Sequence, residues 1–402
     1  MDTRQKLELL GQAAQYDDRV SPVRRLPPTS SAPPHQREDF GLFTLPTDCA
    51  AGPGVFPYVS HVTTPAGCRM AVLKILQTSA CRNDCHYCAF RSGRDFRRAS
   101  FGPDELARSF DLMQRSGVVQ GMFLSSGVVT TTQSMDAMLA TAELLRGKYQ
   151  FRGYIHLKIL PGAEAAQVAR AVEVADRVSV NLEGPSPERL AALAPQKQMK
   201  ELIGPLHTAA RFIREHRRLC DPKVGHGRLG MSTQFVVGPA GESDRELLVT
   251  AQGLYRQIRL ARAYYSAFNP VADTPLADEP PTDPRREFRL YQADWLLRYY
   301  DFSVEELAFN ASGQLDQMVD PKTAWAAAHP EWFPVEVNRA PLPDLLRVPG
   351  IGPSSARAII AVRRQGALRE LGDLRRLGAR VAGAAPYVLL AGKRPPRQLP
   401  LL

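Results

Sequence analysis

A chain of 402 residues, 44% of them hydrophobic and 23% charged, can build one large core and a smaller one, and its composition is not that of a disordered protein. Six cysteines are too few for a disulfide framework, and no run of about eighteen apolar residues is present to span a membrane as a helix. The net charge of +10 is compatible with a polyanionic partner.

The polar start, MDTRQKLELLGQAAQYDD, lacks the apolar core of a signal peptide, so the expected location is the cytoplasm, where thiols stay reduced. Residues 6–16 are predicted to form a short helix. RRLPPTSSAPPHQRED is too rich in Pro and Ser for regular structure, and residues 1–68 read as an N-terminal extension with a linker. From about residue 70 short apolar runs recur: AVLKIL (71–76), GMFLSS (121–126), YIHLKIL (154–160), RVSVNLE (177–183), STQFVVG (232–238) and ARAYYSAF (261–268). Stretches with helical spacing lie between them, such as PDELARSFDLMQRSG, where Pro103, Asp104 and Glu105 suit a helix start. Strands alternating with helices imply parallel pairing and right-handed crossovers. Six such units over 69–270 predict an α/β fold, a partial (β/α)6 barrel of the TIM-like kind. A Pro-rich connection and a helix, RREFRLYQADWLLRYY, fill 271–334, and a small all-α domain is expected over 335–395.

The stretch ACRNDCHYCAF follows the first predicted strand and places Cys81, Cys85 and Cys88 in a C-x3-C-x2-C spacing. At the C-terminal mouth of a parallel barrel, this is where chemistry is kept. Three thiolates can hold three corners of a metal site. A structural zinc takes four protein ligands, and no second C-x2-C or H-x3-H is near. An iron–sulfur cluster held by three thiolates keeps one iron open. From the residues alone both metals stand. Cys49, Cys68 and Cys220 are scattered and read as buried free thiols, and His86 reads as a loop residue rather than a ligand.

The tail carries the charge. From residue 335 to the end there are twelve basic and four acidic residues, a net of +8. LPDLLRVPGIGPSSARAIIAVRRQG reads as helix, Gly-rich turn, helix. Such a turn lets backbone amides and a helix N-terminus meet a phosphate without reading a base. Gly350, Ile351 and Gly352 form the turn, with Arg357, Arg363 and Arg364 adding charge. LRELGDLRRLGARVAGAAPYVLLAGK looks like a degraded second copy, with Leu377-Gly378-Ala379 as its turn. A protein-docking module would carry the same pattern.

The cysteine loop, with aromatic Tyr87 before its last thiol, resembles that of the radical S-adenosylmethionine (SAM) superfamily, and the tail resembles the helix-hairpin-helix motif. Together with FLSSGV, HLKILPG, VSVNLEGPS, QFVVGPAGESD and YYSAFNPV, they resemble the radical SAM branch assigned to DNA modification or repair, over about 70–395. The resemblance implies a [4Fe–4S] cluster on Cys81, Cys85 and Cys88, and SAM on the open iron. It implies reductive cleavage of SAM to a 5′-deoxyadenosyl radical, with an electron donor such as a flavodoxin or ferredoxin as partner. For SAM it points to Tyr87, to Ser125, Ser126 and Gly127 at the second strand end, to Lys158, Asn181 and Glu183 at the third and fourth, and to Gly238 near the adenine. The second strand end lacks the Glu of the family's Gly-Gly-Glu turn, and as residues alone these positions also suit ordinary strand ends. DNA is the implied substrate, RNA the less favoured one. A radical SAM enzyme acting on a peptide or metabolite, and a non-catalytic iron–sulfur or zinc DNA-binding protein, are the other readings.

Overall fold

The computed structural model describes residues 1–14, 59–63, 69–219 and 229–396. Cys49, Cys68, Cys220, Arg397 and the Pro/Ser-rich stretch lie outside the described residues. The chain divides into two compact units, one of residues 1–242 and 254–284 and the other of residues 243–253 and 285–402.

The first unit is a single curled sheet with strand order β1 to β7: β1 (Val59–Thr63), β2 (Arg69–Leu76), β3 (Gly121–Ser125), β4 (Tyr154–Lys158), β5 (Arg177–Ser179), β6 (Gly230–Val237) and β7 (Arg262–Ala267). β2 to β7 pair in parallel, as the alternating pattern predicts. β1 is an addition. It falls inside the stretch read as an extension, yet pairs antiparallel with β2 through Val59–Leu73 to Thr63–Arg69. Strands covered on both faces are continuous apolar runs, and β3 is buried at every position.

The helices that follow the strands start on recognisable signals. In α1 (Thr3–Ala14), Leu10 and Ala14 are buried and Lys6 pairs with Glu105 at 2.7 Å. α2 (Pro103–Arg115) has Pro at its first turn with Asp104 and Glu105, and buries Leu106 and Phe110. Thr130 caps α3 (Thr131–Gly147) by accepting from the Gln133 amide, and a Glu164–Gln167 capping box opens α4 (Ala165–Val174). Ser186 caps α5 (Pro187–Leu193), which α6 (Met199–Leu219) follows. The fourth predicted strand ends early. Val180 to Leu182 leave the ladder, and Glu183 rejoins β6 through a bridge to Phe235 with φ of 63°.

The second unit holds the N-terminal part of α7 (Asp244–Ile258), nearly all of α8 (Pro284–Tyr299), α9 (Pro321–Ala328), α10 (Leu342–Arg347), α11 (Pro353–Val362), α12 (Leu371–Arg376) and α13 (Val381–Ala384). Leu345, Val348, Ile351, Ala356, Ile359, Leu374 and Ala384 pack into one core. A two-residue parallel ladder, Val335–Glu336 with Val388–Leu389, ties its ends and adds a scrap of sheet to a domain expected to be all helix. Among the described residues no helix is long and apolar enough to cross a membrane.

Candidate functional site

The cysteine loop leaves β2 and is held by side chains that its spacing does not reveal. The Asp84 carboxylate receives Arg91 through Nε at 2.7 Å and Nη2 at 2.5 Å, and the Gly93 amide at 3.0 Å. The Arg91 hydrogen bond, then the Gly93 amide, hold the Asp84 carboxyl down at about 2. Arg98 donates to the carbonyls of Ser79, Phe90, Arg91 and Arg94 at 2.9–3.3 Å, and its guanidinium lies over the Phe96 ring. The Arg82 amide bonds the Val128 carbonyl at 2.7 Å and the His86 amide that of Leu193 at 2.8 Å. His86 faces the Ala192 carbonyl through Nδ1 at 3.1 Å.

Cys81, Cys85 and Cys88 are free thiols on the wall of one cavity. The Val128 amide points at Cys81 Sγ and the Phe90 amide at Cys88 Sγ, each at 3.4 Å. Burial pushes the Cys85 and Cys88 thiols up, so thiolates here need positive charge close by. Among the described residues no group of three or more His, Cys, Asp or Glu side chains is gathered at single-ion spacing.

The strand ends supply the rest of the wall. Ser125, Ser126, Gly127, Lys158, Asn181 and Glu183 line the same cavity as the thiols and Tyr87. A β-carbon on Gly127 would collide with the Ala80 carbonyl, so only glycine lets the second strand end lie flat on the cysteine loop. Gly238 does not line the cavity. Its φ of 116° and the Thr282 side chain packed where a β-carbon would stand give it a turn role, with the Thr282 hydroxyl donating to the Val237 carbonyl at 2.6 Å.

Lys197 and Gln234 are wall residues that sequence reasoning passed over. Lys197 Nζ pairs with Glu183 Oε1 at 2.9 Å, both side chains nearly buried at 11% and 4% exposure. The Tyr87 hydroxyl donates to the same carboxylate. Gln234 accepts weakly from Asn181 at 3.4 Å and donates to Ser266 at 2.9 Å. One layer below, period-two alternation puts Lys74, Phe123, His156 and Ser179 on the inner face. His156 meets Ser179 at 2.8 Å and Phe123 edge-on, and burial, then Arg177, Lys158 and Lys74, push it well below the ordinary histidine value. Along YYSAFNPV, at the sixth predicted strand, Tyr265 is core, Tyr264 receives Arg177 at 3.3 Å, and Asn269 reaches the cavity.

In the second unit α10 and α11 flank a tight turn at Val348 to Gly352. Gly350 has φ of 79°, and a β-carbon there would strike the Arg380 carbonyl. The Arg380 amide in turn bonds the Gly350 carbonyl at 2.8 Å, so the second turn, with Gly378 at φ of 80°, packs on the first. Ile351 is 1% exposed, its side chain in the core, its amide on the Val348 carbonyl and its carbonyl on Lys322 Nζ, so it departs from its expected place among the ligand-facing residues. Arg357 and Arg364 are exposed. Arg363 departs from its expected role, because Nη1 donates to the Val337 and Ala340 carbonyls at 2.9 and 2.7 Å and anchors the end of α11.

No curated protein matches the chain. The family model of the Radical SAM superfamily matches residues 75–253, and that of the helix-hairpin-helix motif matches residues 333–381. Residues 75–253 are a radical SAM domain. Among solved structures the chain is similar to the FeFe-hydrogenase maturase HydG of Carboxydothermus hydrogenoformans, at 13% identity and a TM-score of 0.44 over 55% of this chain and 50% of that one. Methylornithine synthase (PylB) gives 12% and 0.44 over 56% and 60%. A radical SAM methyltransferase from Sphaerobacter thermophilus gives 14% and 0.42 over 60% and 67%. The chain thus spans about half the length of HydG. Members of the superfamily use a [4Fe–4S] cluster and SAM, which decides between the two metals the radical SAM domain's loop left open. The donor set fits: three sulfurs, two of them met by backbone amides, face a cavity walled by strand ends.

Proposed function

We propose that the chain is a radical SAM enzyme that modifies or repairs DNA. One observation carries the reading: a cavity with three protein thiols belongs to the same chain as a basic helix-hairpin-helix unit. Cys81, Cys85 and Cys88 would hold the cluster, while Ser125-Ser126-Gly127, Lys158 and Asn181 would hold SAM at the strand ends. When bound, the pair supplies a 5′-deoxyadenosyl radical that can take hydrogen from an unactivated C–H bond. Lys158 places a cation where a carboxylate is expected, and the Asn181–Gln234–Ser266 chain presents amide groups to a ribose. Glu183 and Lys197 neutralise each other and so keep the floor beneath Tyr87 ordered. The turn at Gly350 to Gly352, with Arg357 and Arg364, would hold the phosphate backbone, and a base in a duplex must leave the stack to react. The electron donor would be a protein such as a flavodoxin or ferredoxin, and the location the cytoplasm.

The test is anaerobic reconstitution with SAM and a reductant, followed by incubation with damaged and undamaged DNA and with RNA. Expected are 5′-deoxyadenosine and a new or lost nucleoside by mass spectrometry, with DNA above RNA. Cleavage of SAM that no nucleic acid stimulates, with no salt-dependent binding, would move the substrate to a peptide or metabolite.

A further inference from the structure

A lysine outside the helix-hairpin-helix motif is built into its turn. Lys322 stands on α9, is buried, and donates through Nζ to the carbonyl of Ile351 at 2.6 Å. Its ammonium lies over the Tyr300 ring at 4.6 Å, and the Tyr300 hydroxyl stands close to Gly352. A trans peptide is planar, with its C=O and N–H directed oppositely. Turning the Ile351 carbonyl inward onto Lys322 therefore turns the Gly352 amide away from the core. The preceding peptide is pinned as well, because the Gly350 carbonyl takes the Arg380 amide and the Ile351 amide returns to Val348. Gly352 then opens α11, a ten-residue helix whose positive end lies at the same place.

We propose that Lys322 is a positioning residue for nucleic-acid binding, holding the Ile351–Gly352 peptide so that its amide faces the ligand. This rests on the function proposed above. Burial, ahead of the opposing Asp320 charge and the reinforcing Arg347, brings the Lys322 ammonium down to about 7. Besides Asp320 and Arg347, the ammonium faces Tyr300, and Arg347 is itself paired with Glu306 at 2.7 Å. A charged donor makes the stronger bond to a carbonyl. Below about pH 7 the ammonium grips the turn, and above it the neutral amine grips it more weakly.

Full-length protein is titrated with a fluorescent mixed-sequence DNA duplex at constant ionic strength from pH 6 to 8.5, as wild type and as Lys322→Met. The expected result is that wild-type affinity falls roughly five- to ten-fold across this range. Lys322→Met should melt near the wild type, bind roughly ten-fold more weakly at pH 6, and show a flatter profile. Equal binding by both proteins, or a flat wild-type profile, overturns the proposal. The Gly352 amide resonance of [15N]glycine-labelled protein is the second measurement. It should move with a midpoint near pH 7 in the wild type, and a resonance indifferent to pH overturns the proposal even if the variant does not fold. If the wild type binds no duplex at any pH, the nucleic-acid reading itself fails, and the Gly352 resonance alone decides whether Lys322 orients the turn.

Discussion

Replacing Lys197 by Met leaves Glu183 facing the cavity floor without its cation. Across the 2.9 Å pair an effective dielectric of about 20 gives an attraction of roughly 6 kcal/mol. The full loss is not expected, because the carboxyl can take a proton instead. Protonating a glutamate of ordinary value near 4.3 at pH 7 costs about 3.7 kcal/mol, the smaller figure and within the roughly 3–5 kcal/mol seen when one partner of a buried pair is removed. That cost is absent below about pH 4 and grows as pH rises. At pH 5 the same arithmetic leaves about 1 kcal/mol. Urea unfolding of wild type, Lys197→Met and Glu183→Gln/Lys197→Met at pH 5 and 7 measures this. The single variant should lose roughly 2–3 kcal/mol more at pH 7 than at pH 5, and the double variant should recover most of that. A gap that does not change with pH, or a double variant no better than the single one, would refute the account of the pair.

Cys85→Ala should prevent retention of iron and sulfide after anaerobic reconstitution and abolish 5′-deoxyadenosine formation, while DNA affinity stays within about two-fold; elemental analysis and a binding titration check both halves. Gly350→Ala places a β-carbon against the Arg380 carbonyl at φ of 79° and should cost about 2–4 kcal/mol in the helical unit, seen as a lower-melting transition by calorimetry. Arg357→Ala and Arg364→Ala should each lower the slope of log affinity against log salt by about 1. Arg363→Ala should leave that slope unchanged and reduce stability, because its guanidinium serves the Val337 and Ala340 carbonyls.

The six parallel strands could be placed within a few residues from sequence because each centres on a short, largely apolar stretch and a helical stretch follows it, a rhythm that repeats along the chain. The thiols were legible for a different reason: their spacing is local, so no tertiary information is needed to bring them together. β1 was missed because a single antiparallel edge strand behind a Pro-rich stretch breaks the strand–helix alternation that located the others. Glu183 was placed at a strand end, but not its turn into positive φ, nor its contacts with Lys197 and Tyr87, which arrive from other segments. Lys197 itself gave no signal, since a lysine after a helix is ordinary until its partner is known. Gly238 and Arg363 show the converse. A glycine at a strand end and an arginine on a basic helix have the right character for a ligand, and the fold spends both on internal contacts. The hairpin's glycines were readable because positive φ at a tight turn almost names the residue, whereas Lys322 lies on another helix and bears no mark of its target.

The ties of Asp84, Arg91 and Arg98 have a bearing on where the thiol geometry is vulnerable. They anchor the thiol-bearing segment with guanidinium, carboxylate and main-chain groups alone. All of these bonds fall within residues 79–98, so the spacing of the three thiols is held by a short local stretch of chain. A change at Asp84, Arg91 or Arg98 would therefore disturb the thiol geometry without touching a sulfur.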